Sequence, residues 1–422
     1  MESQHTVHSR APTIFLSFTG LMEPLGQSQV LPYLEGLSKY FKVTVVSLEK
    51  YADLIDSREV DRLRERCEAS GITWLHTRFR HEPRLLSSAV NLLSLLSVAM
   101  RSVRFRRPRL LHARSLLPAI VGMSLAKTLR IPLVFDMRGF WLEEQVTAGR
   151  LARGKAVHRI LAAAENFCLR ESAALVTLTK ESLHHGNSPL VLSGTVRKAA
   201  VIPTCVDLDK FPQKQNEKVG PVVHGCVGTV LSGWYRIDWL TTWIRTVSTE
   251  DETALFEIVT KDDPRTVLNK LELPSHLLPR VSIFGKKSHE IPAVIRRHDL
   301  SLLFYAGGQL SEVARSPTRM AELLATGVPV VATGGVGDME EIISQHNIGV
   351  ILEGGNQNQM RDAFEKLNIL LTDPLLSQRC RETARELFSL QTGVRRYAEV
   401  YDAVIATENR ASTAASTQHN QF

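Results

Sequence analysis

Short apolar runs alternate with amphipathic stretches along nearly the whole chain. Residues 13–18, 42–48, 72–77, 110–113, 132–137 and 174–179 are apolar runs of strand length, and 200–203 is a short last one. Between them, 28–40 sets Val30, Leu34 and Leu37 on one helical face, and 56–69 has the same period. After a polar stretch ending at Val219 the rhythm restarts. Residues 222–228, 255–260, 281–284, 300–305, 328–332 and 349–352 read as strands, and 374–387 and 391–406 as the last helices. Strands alternating with helices predict parallel sheets covered by helices, an α/β chain. Two such series predict two units, over 13–205 and 206–387. A polar, flexible segment precedes them over 1–12 and a helix follows over 388–408. The tail 409–422, rich in Ala, Ser, Thr, Gln and Asn, reads as disordered.

Bulk properties narrow this further. The chain has 422 residues, 44% hydrophobic and 23% charged, which suits two globular cores. Its five cysteines are scattered without a C-x-x-C, which predicts a reducing, cytoplasmic setting and no zinc site or disulfide framework. The start lacks the apolar core of a signal peptide, and no apolar run is long enough to span a bilayer. The net charge is +7. It is densest where arginines stand at 101, 104, 106, 107, 109 and 114, just after an uncharged stretch over 85–100. That segment suits either a core helix with a solvated basic end or docking on an anionic membrane face. No nucleic-acid-binding motif accompanies the charge.

Residues 316–338 carry the most chemistry. Ser316 is placed to cap a helix and Pro317 to open it. Met320, Leu323 and Leu324 form an apolar stripe, Gly327 ends the helix, and a buried strand follows. Thr318 and Glu322 share the opposite face. Free N–H groups at the helix start suit a phosphate. The Glu322 carboxylate one turn further in suits the two hydroxyls of a ribose. Together they read as a nucleotide-diphosphate clamp.

This segment resembles the donor-binding signature of glycosyltransferase family 4, retaining enzymes of GT-B fold with two Rossmann-like domains facing across a cleft. The resemblance extends from about Thr13 to Ala406. It implies that Glu322 holds the ribose of a sugar nucleotide, UDP- or GDP-linked, and that backbone at Pro317, Thr318 and Arg319 cradles the diphosphate. It implies an acceptor-side first domain, a nucleotide-sugar-binding second domain and a last helix crossing back to the first. A glycan or lipid-linked acceptor, no cofactor and no required metal follow from it. The family's second Glu, eight positions before Glu322, is Ala314 here.

Other residues take candidate roles from the same resemblance. Gly26 lies in the loop after the first strand, where close backbone approach to the donor is expected. His112 matches the first His of a His-x-His, with Arg114 replacing the second. Asp136 and Arg138 are candidates for ordering the acceptor hydroxyl and leaving phosphate, with a structural salt bridge as the alternative. In the loop 228–236, Gly233 and Arg236 face the expected diphosphate, and Lys261 stands in for a missing lysine. The acids Asp262 and Asp263 open a helix and read as caps rather than a metal pair. A dinucleotide fingerprint fails on spacing, although Glu49 ends the second strand where its acid would stand. A nucleotide-sugar epimerase and an inactive, nucleotide-binding partner of a polysaccharide complex stay open as alternatives.

Overall fold

A computed structural model describes residues 10–81, 84–214 and 220–419. They form two compact units: Met1–Leu178 with Ser182–Ile202 and Gly393–Phe422, and Thr179–Glu181 with Pro203–Thr392. Each is a Rossmann-like α/β layer structure built on one parallel sheet.

The first sheet contains β1 (Pro12–Ser17), β2 (Lys42–Lys50), β3 (Thr73–Phe79), β4 (Leu110–Arg114), β5 (Leu133–Asp136), β6 (Ala174–Thr177) and β7 (Ala199–Val201), in the order β3-β2-β1-β4-β5-β6-β7. The second contains β8 (Val223–Val227), β9 (Leu255–Val259), β10 (Val281–Phe284), β11 (Leu300–Leu303), β12 (Val330–Thr333) and β13 (Gly349–Leu352), in the order β10-β9-β8-β11-β12-β13. Central strands are buried on both faces, which is why they read as continuous apolar runs rather than alternating ones. Register sets Ser17, Arg114 and Asp136 level at the C-terminal ends of β1, β4 and β5. The second core is centred on Trp243, Phe256, Ile258, Phe304, Leu323 and Leu324.

Two segments, 28–40 and the tail, differ from the sequence-based expectation, and the stretch 85–100 takes the core-helix form, one of its two readings. The helix expected over 28–40 is two pieces, Pro24–Gln29 and Leu31–Leu37, joined at Val30. Pro32 has no N–H to continue the hydrogen-bond ladder across that junction. The uncharged stretch 85–100 lies in the helix Arg84–Arg106. That helix buries Ser87, Asn91, Leu95 and Ala99, four apart, against the first sheet, with Asn91 bonded to the Arg80 backbone at 2.9 Å both ways. Leu93, Met100 and Phe105 on it stay exposed. Among the described residues, no helix is long and apolar enough to cross a membrane. The last helix is Leu390–His419, so it extends over most of the tail expected to be disordered. That tail is alanine-rich and has no Gly or Pro to stop a helix. Residues 1–9 of the expected flexible start and 420–422 of the tail lie outside the described residues.

Candidate active site

In the second sheet, strand order runs outward in opposite senses from β8 and β11. The crevice beyond their C-terminal ends is the switch point at which open α/β sheets bind ligands. A cavity of about 320 Å³ lies there, lined by the ends of β8 and β11, the loop 228–235, Tyr305, Arg315, Thr318 and Arg319.

The loop is built for backbone exposure. Gly228 has φ +140°, and neither there nor at Gly233 would a Cβ meet any atom within 4 Å. Asp262 fixes the loop from below, accepting hydrogen bonds from Val230 N at 2.7 Å, Leu231 N at 3.0 Å and Thr260 Oγ1 at 3.0 Å. Asp263 caps the helix Pro264–Leu271, accepting from Thr266 N at 2.9 Å. The two acids therefore have separate structural tasks, and only Asp263 is a cap.

The helix Thr318–Thr326 starts one residue later than its sequence suggests. Pro317 is the N-cap, with φ −67° and ψ 119°, and the Ser316 hydroxyl accepts from Thr204 N at 3.1 Å instead of capping. Pro317 offers no side-chain acceptor, so the first-turn N–H groups have no side-chain cap. Met320, Leu323 and Leu324 are buried, and Gly327 ends the helix at φ +83°. Thr318 and Arg319 line the cavity. Glu322, one turn further in, pairs with Arg319, and its side chain is only 16% exposed. Burial lifts its carboxyl above the usual carboxylate range, against the pull of Arg319.

Arg315 was not singled out by its sequence context, though it directly precedes the signature. Its guanidinium pairs with buried Glu312 at 2.9 Å and lies 4.9 Å from the Trp234 ring centre and 5.9 Å from that of Tyr305. Burial pushes the Tyr305 hydroxyl up to about 12, against Arg319 and Arg315. Gly337, at φ +46°, sits on this segment: a Cβ there would be 2.2 Å from the Arg315 carbonyl oxygen. Asp338 accepts from Lys180 N at 2.7 Å and Glu181 N at 2.9 Å. Ala314 is fully buried.

Of the expected donor ligands, Thr318 and Arg319 line the cavity, whereas Pro317, Glu322, Gly233, Arg236 and Lys261 lie outside its lining. Arg236 is bonded to Asp238 at 3.0 and 2.8 Å and stacks 4.8 Å from the Trp239 ring centre. Lys261 is exposed in the loop after β9.

In the first unit His112, Asp136 and Arg138 do come together, in a closed cluster. Tyr397 and Tyr401 of the C-terminal helix fill it. The Tyr397 hydroxyl donates to Asp136 Oδ2 at 2.8 Å, and His112 Nδ1 lies 2.7 Å from the Tyr401 hydroxyl. His112 Nε2 and Arg114 Nη1 lie 3.5 and 3.7 Å from the same carboxylate oxygen. His112 and Asp136 are each 1% exposed. Burial holds the His112 pKa down and keeps the ring neutral, against the pull of Asp136. Burial would raise the Asp136 pKa, but Arg138, His112 and Arg114 outweigh it and hold it below the ordinary value. Burial and the neighbouring Arg138 push Arg114 down to about 10. Ser115 and Arg138 adopt φ +74° and +54°, sparsely allowed for non-glycine residues, just past β4 and β5. Gly139, at φ +127°, makes room for Glu144, whose Oε1 would lie 2.5 Å from a Cβ.

Gly26 likewise serves the fold: a Cβ there would be 2.0 Å from the Gly20 carbonyl oxygen. Glu49 braces the same loop, accepting from Leu21 N at 2.8 Å and Met22 N at 3.1 Å. The position of a dinucleotide-binding acid is thus taken by the chain itself.

Comparisons with known proteins agree with this fold. Residues 29–185 match the glycosyl transferase 4-like domain family, and residues 221–368 match glycosyl transferases group 1. No curated protein matches by sequence. Among solved structures, sucrose-phosphate synthase from Thermosynechococcus elongatus superposes with a TM-score of 0.66 at 14% identity, covering 94% of this chain and 100% of its own. Anabaena HepE in complex with UDP and glucose gives 0.63 at 16% identity, covering 93% and 100%. The lipopolysaccharide outer core galactosyltransferase WaaB gives 0.62 at 12% identity, covering 93% and 99%.

Proposed function

Because the chain belongs to the family 4-like glycosyltransferases of GT-B fold, we propose that it transfers a sugar, with retention, from a nucleoside-diphosphate sugar bound in the second-unit cavity. The observation that carries this reading is the cavity at the β8–β11 switch point, bordered by an uncapped helix start with Glu322 one turn further in. UDP, which occupies the Anabaena neighbour, is the first nucleotide to test, with GDP beside it.

Glu322 accepts from the ribose hydroxyls, and the Thr318 and Arg319 N–H groups meet the diphosphate. In the reaction the bond from the anomeric carbon to the diphosphate oxygen breaks, and its electron pair leaves with the nucleoside diphosphate. The acceptor hydroxyl oxygen bonds that carbon and passes its proton to an oxygen of the departing diphosphate. Charge growing on the leaving oxygens meets fixed dipoles and cations, which lowers the barrier without a metal. A glycan or lipid-linked acceptor fits a cytoplasmic enzyme. Exposed Phe105, among Arg104, Arg106 and Arg107, supports peripheral contact with an anionic membrane face.

Incubation with a panel of UDP- and GDP-sugars tests the reading through nucleoside diphosphate release. The anomeric configuration of the product, read by NMR, tests retention. Glu322→Ala loses charged hydrogen bonds to the ribose, about 2–4 kcal/mol, or about 30- to 1000-fold in donor affinity. Donor turned over equally well by that variant overturns the assignment. A second reading, nucleotide binding without turnover, draws on buried Ala314, which places no carboxylate where the family has its second Glu. Binding of a diphosphate with no release from any sugar nucleotide selects it. An isomerised donor sugar formed without acceptor selects an epimerase.

A further inference from the structure

The charge of a nucleoside diphosphate needs cations, and the two side-chain cations expected for it, Arg236 and Lys261, are not among the residues lining the cavity. Arg236 is held by both oxygens of Asp238 and stacked on Trp239, and Lys261 stands outside the lining. The guanidiniums that do line it are Arg315 and Arg319. Arg315 reaches it from the extended segment before the helix Thr318–Thr326, and Arg319 from that helix's first turn. Each is paired with a carboxylate: Arg315 with Glu312 at 2.9 Å, Arg319 with Glu322. Trp234 and Tyr305 flank Arg315. The glycine at 337 lets backbone close onto the Arg315 carbonyl and fix that residue's position.

We infer that Arg315 and Arg319 are the diphosphate-binding residues of this chain, in place of Arg236 and Lys261. The inference rests on the donor-site reading above and deepens it. Arg315 is pre-set: its carboxylate partner is buried and its guanidinium lies beside the Trp234 and Tyr305 rings, so it loses little side-chain freedom when phosphate arrives. Arg319 is exchanged. Diphosphate takes its guanidinium, and Glu322, released from that pair, turns to the ribose. The two halves of the nucleotide therefore bind cooperatively through one broken ion pair. Planar guanidiniums also suit a diphosphate better than ammonium groups, because each donates two parallel hydrogen bonds.

Isothermal titration of UDP, UMP and uridine, with GDP, GMP and guanosine beside them, tests this on the full chain. The variants are Arg315→Gln, Arg319→Gln, Arg236→Gln and Lys261→Gln. Arg315→Gln leaves Glu312 buried without its partner, so Glu312→Gln/Arg315→Gln, which removes both charges, is measured beside it, and melting curves verify folding. The expected result is a tenfold or greater loss of diphosphate affinity in the folded Arg315 and Arg319 variants. Nucleoside affinity then changes less than threefold in the Arg315 variants and rises in Arg319→Gln, where no ion pair with Glu322 has to break, and Arg236→Gln and Lys261→Gln stay within threefold of wild type throughout. Wild-type diphosphate affinity in the folded Arg315 and Arg319 variants overturns the inference while leaving the donor site standing. So does a tenfold loss confined to Arg236→Gln or Lys261→Gln. Absence of diphosphate binding by the wild-type chain defeats the donor-site reading itself, and this inference with it.

Discussion

Tyr397→Phe removes one oxygen from the buried cluster of the first unit and tests whether that cluster is a tether or a reaction centre. The lost group donates to Asp136 at 2.8 Å. A hydrogen bond to a buried charge contributes about 1.5–3 kcal/mol. Asp136 keeps Arg138, with His112 Nε2 at 3.5 Å and Arg114 Nη1 at 3.7 Å. The remaining partners limit the loss to about 2 kcal/mol. For a unit of roughly 150–250 residues, that lowers Tm by about 4–8 °C. Tyr401→Phe removes a bond to neutral His112 and costs about 1 kcal/mol, or about 2–4 °C. Scanning calorimetry reads both, and nucleotide affinity, set in the second unit, stays at the wild-type value. The tether also weakens in acid. Asp136 has a folded pKa below its unfolded one, so its contribution is present above about pH 4 and is lost as pH falls through the folded value. A Tm unchanged by Tyr397→Phe, or a larger fall from Tyr401→Phe, refutes this reasoning. So does a turnover loss in Tyr397→Phe without any fall in Tm.

Other perturbations have equally definite outcomes. Burial, with Glu143 nearby, raises the Glu165 carboxyl to about 7, so folding holds a proton there that the unfolded chain releases. Glu165→Gln therefore stabilises the protein by on the order of 2–3 kcal/mol at pH 8 and by nothing at pH 4, read from denaturant unfolding at both. Gly26→Ala drives a methyl to 2.0 Å from the Gly20 carbonyl oxygen and destabilises by about 1–3 kcal/mol, measured by thermal melting. Asp262→Ala frees the Val230 and Leu231 N–H groups. The loop 228–235 then loosens, and titration shows donor affinity down about tenfold, the effect of about 1.4 kcal/mol.

The fold was legible because parallel strands buried on both faces leave unbroken apolar runs, such as Val43 to Val46 and Val328 to Ala332. The signature around Glu322 was legible because a helix start, an apolar stripe and a terminating glycine lie within one stretch. Its helix start was misplaced by a single residue, since Ser316 finds a partner in Thr204, far away in sequence. The same distance problem hid Arg315, whose meaning depends on Glu312, Trp234 and Tyr305 meeting around it. His112, Asp136 and Arg138 were gathered correctly as neighbours. Their partners, Tyr397 and Tyr401, lie more than 250 positions along the chain, so nothing local revealed that the cluster is closed. At Gly26 the structure shows a requirement of the chain's own backbone, which looks identical in sequence to a requirement of a ligand.

Titration of UDP and GDP into the wild-type chain and Glu322→Ala, followed by thermal shift, tests the donor site most directly. At a hundredfold excess over Kd, a nucleotide that binds only the folded state stabilises it by about 2.7 kcal/mol. The cavity, the helix start and Glu322 together predict such a shift for one of the two nucleotides, lost in the variant. A folded wild-type protein whose melting neither nucleotide moves at millimolar concentration contradicts a donor site at the β8–β11 switch point.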